Sequence, residues 1–390
     1  MNWKVAALAV TLVVAAGGLA CRDATRPERD VAAQSGAGAV PGEYIVVFRP
    51  AVTDPAALAA QLVRVNGGTL RFTYTSALKG FAATLPAAAA QGLARNPLVA
   101  YVEQDQLYGV DVTQSMDANG DPWGLDRVDQ QAGPLSRTYT YTATGAGVHA
   151  YIIDTGIWTL HPDFGGRANN VYDAFGATGE DCHGHGTHVA GTIGGATYGL
   201  AKGVSLHGVR VLSCGGLGLT SQIIAGIDWV RQNAVKPAVA NMSLGGGLST
   251  ALNDATTNLW NSGVFVAVAA GNDNVDACTA SPASATGAFT AAASEKTDAK
   301  ASYSNWGTCV EAYAPGSAIV SDFLLGTTMS LSGTSMASPH FAGVAVLYKA
   351  TFGDQPSATV SNWIVTNSTA GVITGNPSGT PNRLLYKSTL

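Results

Sequence analysis

The sequence is poor in charge. Only 12% of its 390 residues are Asp, Glu, Lys or Arg, the formal net charge is −5, and no long run of Lys and Arg occurs. A chain without a basic stripe has no electrostatic footprint for nucleic acid, which excludes that class of partner. Long apolar runs are equally scarce. Past the N-terminus none reaches the ~18 uninterrupted residues of a membrane-crossing helix. Two catalytic signatures are also missing. Without Gly-x-Ser-x-Gly and the chain order Ser–Asp–His, an esterase or lipase on an α/β-hydrolase sheet is not expected. No His-Glu-x-x-His occurs, so the zinc-peptidase helix is absent too.

What is present begins with an export signal over residues 1–20. Lys4 supplies its positive end, Val5 to Ala16 its apolar stretch, and Gly18-Leu19-Ala20 a small-x-small cleavage site. The chain therefore reads as secreted, with a lipid-anchored precursor through Cys21 as the alternative. Secretion makes the other four cysteines, Cys182, Cys214, Cys278 and Cys309, candidates for disulfides. Four cysteines allow three connectivities. Proximity in the chain favours Cys182–Cys214 and Cys278–Cys309.

The length suits two folded units plus a short appendage. Residues 21–40 are polar and unpatterned, as in a linker. Residues 41–110 carry strand, helix, strand, strand, helix and strand in turn. The strands are 43–48, 69–74, 80–85 and 99–104, the helices 55–65 and 87–95. That order is a small α+β ferredoxin-like unit. From 111 to 390 short strands, apolar throughout, alternate with helical stretches: 147–154, 187–194, 205–212, 221–232, 238–243, 249–263 and 264–270. Strands without polar alternation are buried on both faces. The expected fold is therefore α/β, a doubly wound, mainly parallel sheet with helices on both faces.

In such a sheet, sites gather at the carboxyl ends of strands. Asp154 ends the apolar run His149 to Ile153. Alone it would pass for a turn cap. Three histidines, His183, His185 and His188, crowd the start of the next helix. They suit either zinc or a catalytic imidazole beside a core histidine, and no third-ligand pattern completes a zinc site. Ser335 lies just ahead of the helix 341–350, where an N-cap would be the ordinary explanation.

The three segments acquire a joint meaning. Ile153-Asp154-Thr155-Gly156, the run His185 to Thr192 and the run Gly333 to His340 resemble the three active-site signatures of the subtilase family, in its Asp–His–Ser order. The resemblance extends from Pro122 to the C-terminus. It is nearest to the proteinase K and aqualysin branch, whose cysteine spacings support the pairing above. It implies a subtilisin-like endopeptidase with Asp154, His185 and Ser335 as catalytic triad and Asn272 in the oxyanion hole. Gly216, Leu217 and Gly218 on one side and Ser243, Leu244 and Gly245 on the other would bind an extended polypeptide substrate. Gly245, Gly246, Ala269, Ala270 and Gly271 would line an apolar pocket for the residue before the scissile bond. Asp126, Asp129, Gln130, Ser136 and Thr138 resemble one structural calcium site; Thr286, Ala288 and Glu311 resemble a second, where Glu311 replaces the branch's usual Asp. The unit 41–110 resembles the family's propeptide, an inhibitor and folding aid cut off between Tyr108 and Thr113. The working enzyme is expected to be a monomer.

Overall fold

A computed structural model describes residues 39–109, 113–114 and 122–390. The export signal, Cys21 and the bonds between 109 and 113 lie outside the described residues. No helix among the described residues is long and apolar enough to cross a membrane.

The N-terminal unit consists of β1 (Ala39–Phe48), α1 (Pro55–Val65), β2 (Thr69–Tyr74), β3 (Gly80–Thr84), α2 (Ala87–Leu93) and β4 (Val99–Gly109). Asp54 caps α1 through Ala57 N–H, with proline in its first turn. The four strands lie antiparallel in the order β2-β3-β1-β4. Ile45 and Val47 face the larger domain, while Val46 and Phe48 pack under α1 with Val63 and Phe81. The first strand begins at Ala39, inside the stretch expected to be linker, because Ala39 pairs with Gln106 on an extended β4.

The larger unit follows with β5 (Thr113–Gln114), α3 (Trp123–Val128), β6 (His149–Asp154), β7 (Ala168–Asp173), α4 (His185–Gly194) and β8 (Ser205–Arg210). Next come β9 (Leu217–Leu219), α5 (Thr220–Asn233), β10 (Ala238–Met242), β11 (Gly246–Gly247), α6 (Thr250–Asn261) and β12 (Phe265–Ala269). The remainder is β13 (Ala280–Ser281), β14 (Phe289–Ser294), β15 (Ala312–Pro315), β16 (Ile319–Asp322), β17 (Thr328–Ser332), α7 (Thr334–Phe352), α8 (Ser357–Asn367), β18 (Thr369–Ala370) and β19 (Arg383–Leu384). Nine strands form one sheet, β18-β19-β15-β14-β12-β10-β6-β8-β7, parallel except at the β18–β19 edge. Alternation sends Ala150 and Ile152 to the face covered by α4, α7 and α8, and Tyr151 and Ile153 to the face covered by α5 and α6. Both faces are buried, as unalternating strands require.

Cys182 is bonded to Cys214 and Cys278 to Cys309.

Candidate active site

The carboxyl ends of β6, β10 and β12 converge on the start of α7, and each contributes through its own local chemistry. Asp154 closes β6 and is fully buried. Its Oδ1 accepts from Thr155 N–H at 2.7 Å and pairs with His185 Nδ1 at 2.8 Å. The imidazole is therefore held with its Nδ1–H on the carboxylate and its Nε2 lone pair facing away. His185 opens α4 behind Gly184, whose φ of +100° and close fit against the Phe323 ring admit only glycine. Asp181 supplies the cap that Gly184 lacks, accepting from His183, Gly184 and Thr187 N–H and from the Thr187 hydroxyl.

The three neighbouring histidines do different things. His188 is fully buried, and its Nε2 donates to the carbonyls of Ile319 and Met329. Burial pushes its pKa down to about 3, so it stays a neutral core residue. His183 is half-buried, its pKa lowered by desolvation and then by His185. No group of three or more His, Cys, Asp or Glu side chains gathers as metal ligands among the described residues.

Helix α7 starts at Thr334, well ahead of the expected 341, so Ser335 sits in its first turn. Pro339 lies inside this helix and has no N–H to give to the carbonyl four residues back. That carbonyl belongs to Ser335. The hydroxyl of Ser243 donates to it at 2.7 Å, and Asn241 Nδ2 in turn donates to the Ser243 hydroxyl. Ser338 reaches the other end of the Asn241 amide. Sequence reading placed Ser243 only at the substrate edge and missed this support. A proline one turn after the serine was the available clue. In this state Ser335 Oγ donates to the Ser243 carbonyl at 3.2 Å, and the buried His185 Nε2 has no hydrogen-bond partner among the described residues.

Asn272 Oδ1 accepts from the N–H and the hydroxyl of Thr334, at 2.8 and 2.9 Å. This fixes the amide and leaves Nδ2 as its donor end, one residue from Ser335. The loop carrying it is tied down by Asn305, whose Nδ2 donates to the Ala270 carbonyl and whose Oδ1 accepts from Asp273 and Val275 N–H. Gly271, at φ +101°, packs directly on that amide, where a Cβ would lie 2.4 Å from Nδ2. Asn305 too escaped the sequence reading, because a lone asparagine in a loop carries no pattern.

Gly216 precedes β9, whose Leu217 and Gly218 complete the expected substrate rim on that side. Ser243, Leu244 and Gly245 lead from β10 to Gly246 in β11, and Ala269, Ala270 and Gly271 follow the end of β12. The β9 rim already carries a strand. Antiparallel β4 pairs Leu107, Tyr108 and Gly109 with Leu219, Gly218 and Leu217. Thr113 and Gln114 pair with Ser332 and Leu331 of β17, which ends three residues before Ser335. The N-terminal unit is anchored further back. Glu103 accepts from the Ser249 hydroxyl and from Ala251 N–H at the start of α6, and Asp105 accepts from Ser221 N–H at the start of α5. Two carboxylates thus sit on two helix N-termini. Burial raises the pKa of both.

Of the oxygen ligands expected to hold calcium, Asp126 accepts from Ser136 N–H and hydroxyl and from Arg137 N–H. Ser136 N–H also reaches Gln130 Oε1, and its hydroxyl lies 2.7 Å from that of Thr138. Asp129 accepts from Thr140 N–H, its pKa raised mainly by desolvation. Four of the five residues are joined directly by hydrogen bonds, and the all-oxygen chemistry fits a hard cation. Glu311, at the expected second site, accepts from Thr290 N–H, and burial pushes its carboxyl up to about 8. Hydrogen bonds from the Thr290 and Glu311 backbone and the Thr290 side chain offset part of that burial, and its oxygen chemistry is of the kind a hard cation takes.

These features define a class: a serine hydrolase on a doubly wound sheet, made with an N-terminal unit whose last strand pairs with an edge strand of the larger one. The comparisons narrow it. Residues 145–384 match the description of the subtilase family and residues 43–111 that of peptidase inhibitor I9. The chain is 48% identical to an extracellular serine proteinase of Thermus sp. (strain Rt41A), over 89% of this chain and 90% of that protein. It is 40% identical to proteinase R of Parengyodontium album, over 89% of each. A crystal structure of a cold adapted subtilisin-like serine proteinase superposes with a TM-score of 0.68 at 48% identity, covering 70% of this chain and all of the other. The chain belongs to the subtilase family. It is an extracellular subtilisin-like serine endopeptidase made with an I9-type propeptide.

Proposed function

We propose that Asp154, His185, Ser335 and Asn272 carry peptide-bond hydrolysis. The observation that carries this reading is the 2.8 Å pairing of His185 Nδ1 with buried Asp154, beside the serine that opens α7. Ser335 Oγ turns from the Ser243 carbonyl to His185 Nε2 and attacks the peptide carbonyl as that nitrogen takes its proton. His185 then returns the proton to the leaving amine, and Asp154 stabilises the imidazolium. Asn272 Nδ2 and Ser335 N–H donate to the oxyanion. Substrate lies between Gly216–Gly218 and Ser243–Gly245. The pocket of Gly245, Gly246, Ala269, Ala270 and Gly271 has no charge, so it accepts apolar and aromatic side chains broadly.

The precursor is its own first substrate. Support comes from two strand pairings, Leu107–Gly109 on β9 and Thr113–Gln114 on β17, whose last residue Ser332 lies three residues before Ser335. The cut falls between Gly109 and Thr113, which sets the boundary between the unit 41–110 and the catalytic unit 111–390. Calcium is structural. Asp126, Asp129, Gln130, Ser136 and Thr138 hold one ion. Glu311 with the carbonyls of Thr286 and Ala288 holds a second. Bound there, the ion neutralises carboxylates and braces loops.

Purified precursor tests the reading. Wild type sheds a fragment ending between residues 109 and 113 and gains casein hydrolysis blocked by a serine-directed fluorophosphonate. Ser335→Ala stays full length. Self-processing by pure Ser335→Ala, or instant loss of hydrolysis on chelation with none on fluorophosphonate treatment, would overturn it.

A further inference from the structure

The two most exposed large apolar side chains among the described residues are Leu160, 80% exposed, and Leu325, 76% exposed. They belong to two loops that touch. His161 Nε2 donates to the Thr327 carbonyl at 2.9 Å, and Gly326 packs against the Pro162 ring. Leu325 forms the tip of the β16–β17 hairpin at a φ of +59°, a conformation that strains a leucine and that a glycine adopts freely. The hairpin gains nothing from this strain, since the side chain it displays packs on little. A strained, exposed apolar tip beside a second one is a surface shaped for contact.

Its place in the fold says with what. The turn begins at Phe323, whose ring lies against Gly184, next to His185. Strand β17 runs from this turn back to Ser332, three residues before Ser335. The chain just beyond the processing region already uses it as a template, with Thr113 opposite Ser332 and Gln114 opposite Leu331, antiparallel. Continued in that register, a polypeptide sets its next three residues opposite Ser330, Met329 and Thr328. The residues four to six places beyond the Thr113 position then arrive at the turn, between Leu325 and Leu160. Strand addition supplies affinity through the main chain, and pockets for particular side chains supply choice.

We propose that Leu160 and Leu325 form a remote binding surface for the leaving-group side of a polypeptide substrate, selecting an apolar side chain four to six residues beyond the one seated opposite Ser332. This rests on the endopeptidase reading above, and it makes the enzyme favour long, apolar substrates over short peptides.

The test uses mature enzyme, with active sites counted by fluorophosphonate titration. Internally quenched peptides share one unprimed sequence and end either two or nine residues after the scissile bond. In the long series, Leu or Ser is scanned through the distal places. We expect kcat/KM about tenfold higher for Leu than for Ser at the places that reach the turn. The pair Leu160→Ser with Leu325→Ser removes that gain and leaves the short peptide within twofold. Leu160→Ser with Leu325→Gly, which also relieves the positive φ, gives the same result and guards against misfolding. Equal rates for Leu and Ser at every distal place, or an equal loss on short and long peptides, would sink the proposal. Absence of any fluorophosphonate-sensitive cleavage of the short peptide would instead sink the endopeptidase reading.

Discussion

At the scale of single residues, the serine is held by a defect in its own helix. Pro339 leaves the Ser335 carbonyl without its helical donor, and the Ser243 hydroxyl fills the gap. Ser243→Ala leaves a buried acceptor unpaired at about 1–3 kcal/mol and loosens the nucleophile. We expect kcat to fall about tenfold with little change in KM, read from steady-state kinetics on a short peptide. On the proposed mechanism Asn272 donates to the oxyanion, so Asn272→Ala should lower kcat by about 10²–10³, the size known for such a donor in a subtilisin, in the same steady-state assay. Asp322 gives a pH-dependent case. It is fully buried, its Oδ1 lies 3.5 Å from His161 Nδ1, and burial followed by the nearby Asp163 carboxyl group pushes its pKa up to about 8. The folded state therefore holds this proton more tightly than the unfolded chain. Its contribution is present in full below the ordinary carboxyl pKa and is lost as pH rises to about 8. Asp322→Asn should melt at least about 4 °C higher than wild type at pH 9, with the gap closing toward pH 4.

At the scale of elements, β4 does two jobs. Its middle docks on helices and its end pairs with β9. Glu103 and Asp105 each satisfy a helix N-terminus of the catalytic unit. Glu103→Ala with Asp105→Ala should weaken inhibition of mature enzyme by added propeptide by tenfold or more, measured as Ki. An unchanged Ki would mean that the cleft strand alone holds the unit. The elements themselves were largely legible. The sequence placed a helix over 221–232 and the structure has one at Thr220–Asn233; it placed a strand over 238–243 and β10 is Ala238–Met242. The start of α7 was not, because Pro339 argues locally against a helix. The Ser243 hydroxyl, just past the end of β10 and 92 residues earlier in the chain, supplies the donor that the proline lacks.

At the scale of the whole molecule, two covalent staples and the expected calcium sites brace loops around the large parallel sheet. Cys278–Cys309 closes a loop with a separation of 31 residues. Replacing both cysteines by serine should cost about 2–4 kcal/mol and shorten the half-life at elevated temperature. Chelation should act on the same observable, lowering the midpoint of heat inactivation while leaving the initial rate at low temperature unchanged. If it leaves that midpoint unmoved, the calcium reading of Asp126 and Glu311 is wrong.

The sequence by itself determined the layering, the two units and the pairing of signatures around Asp154, His185 and Ser335, because buried strands, caps and short motifs are written in neighbouring residues. It also marked Asn272, through the small residues around it. Tertiary structure decided what distance along the chain conceals. His188 is a core residue because Ile319 and Met329 carbonyls meet its ring. Asn305 holds the loop that carries Asn272, and the loop of Leu160 meets the turn of Leu325, only because the fold brings far-apart segments together. A hydrogen bond or a contact surface between distant segments leaves no periodic trace in either one, so folding alone reveals it.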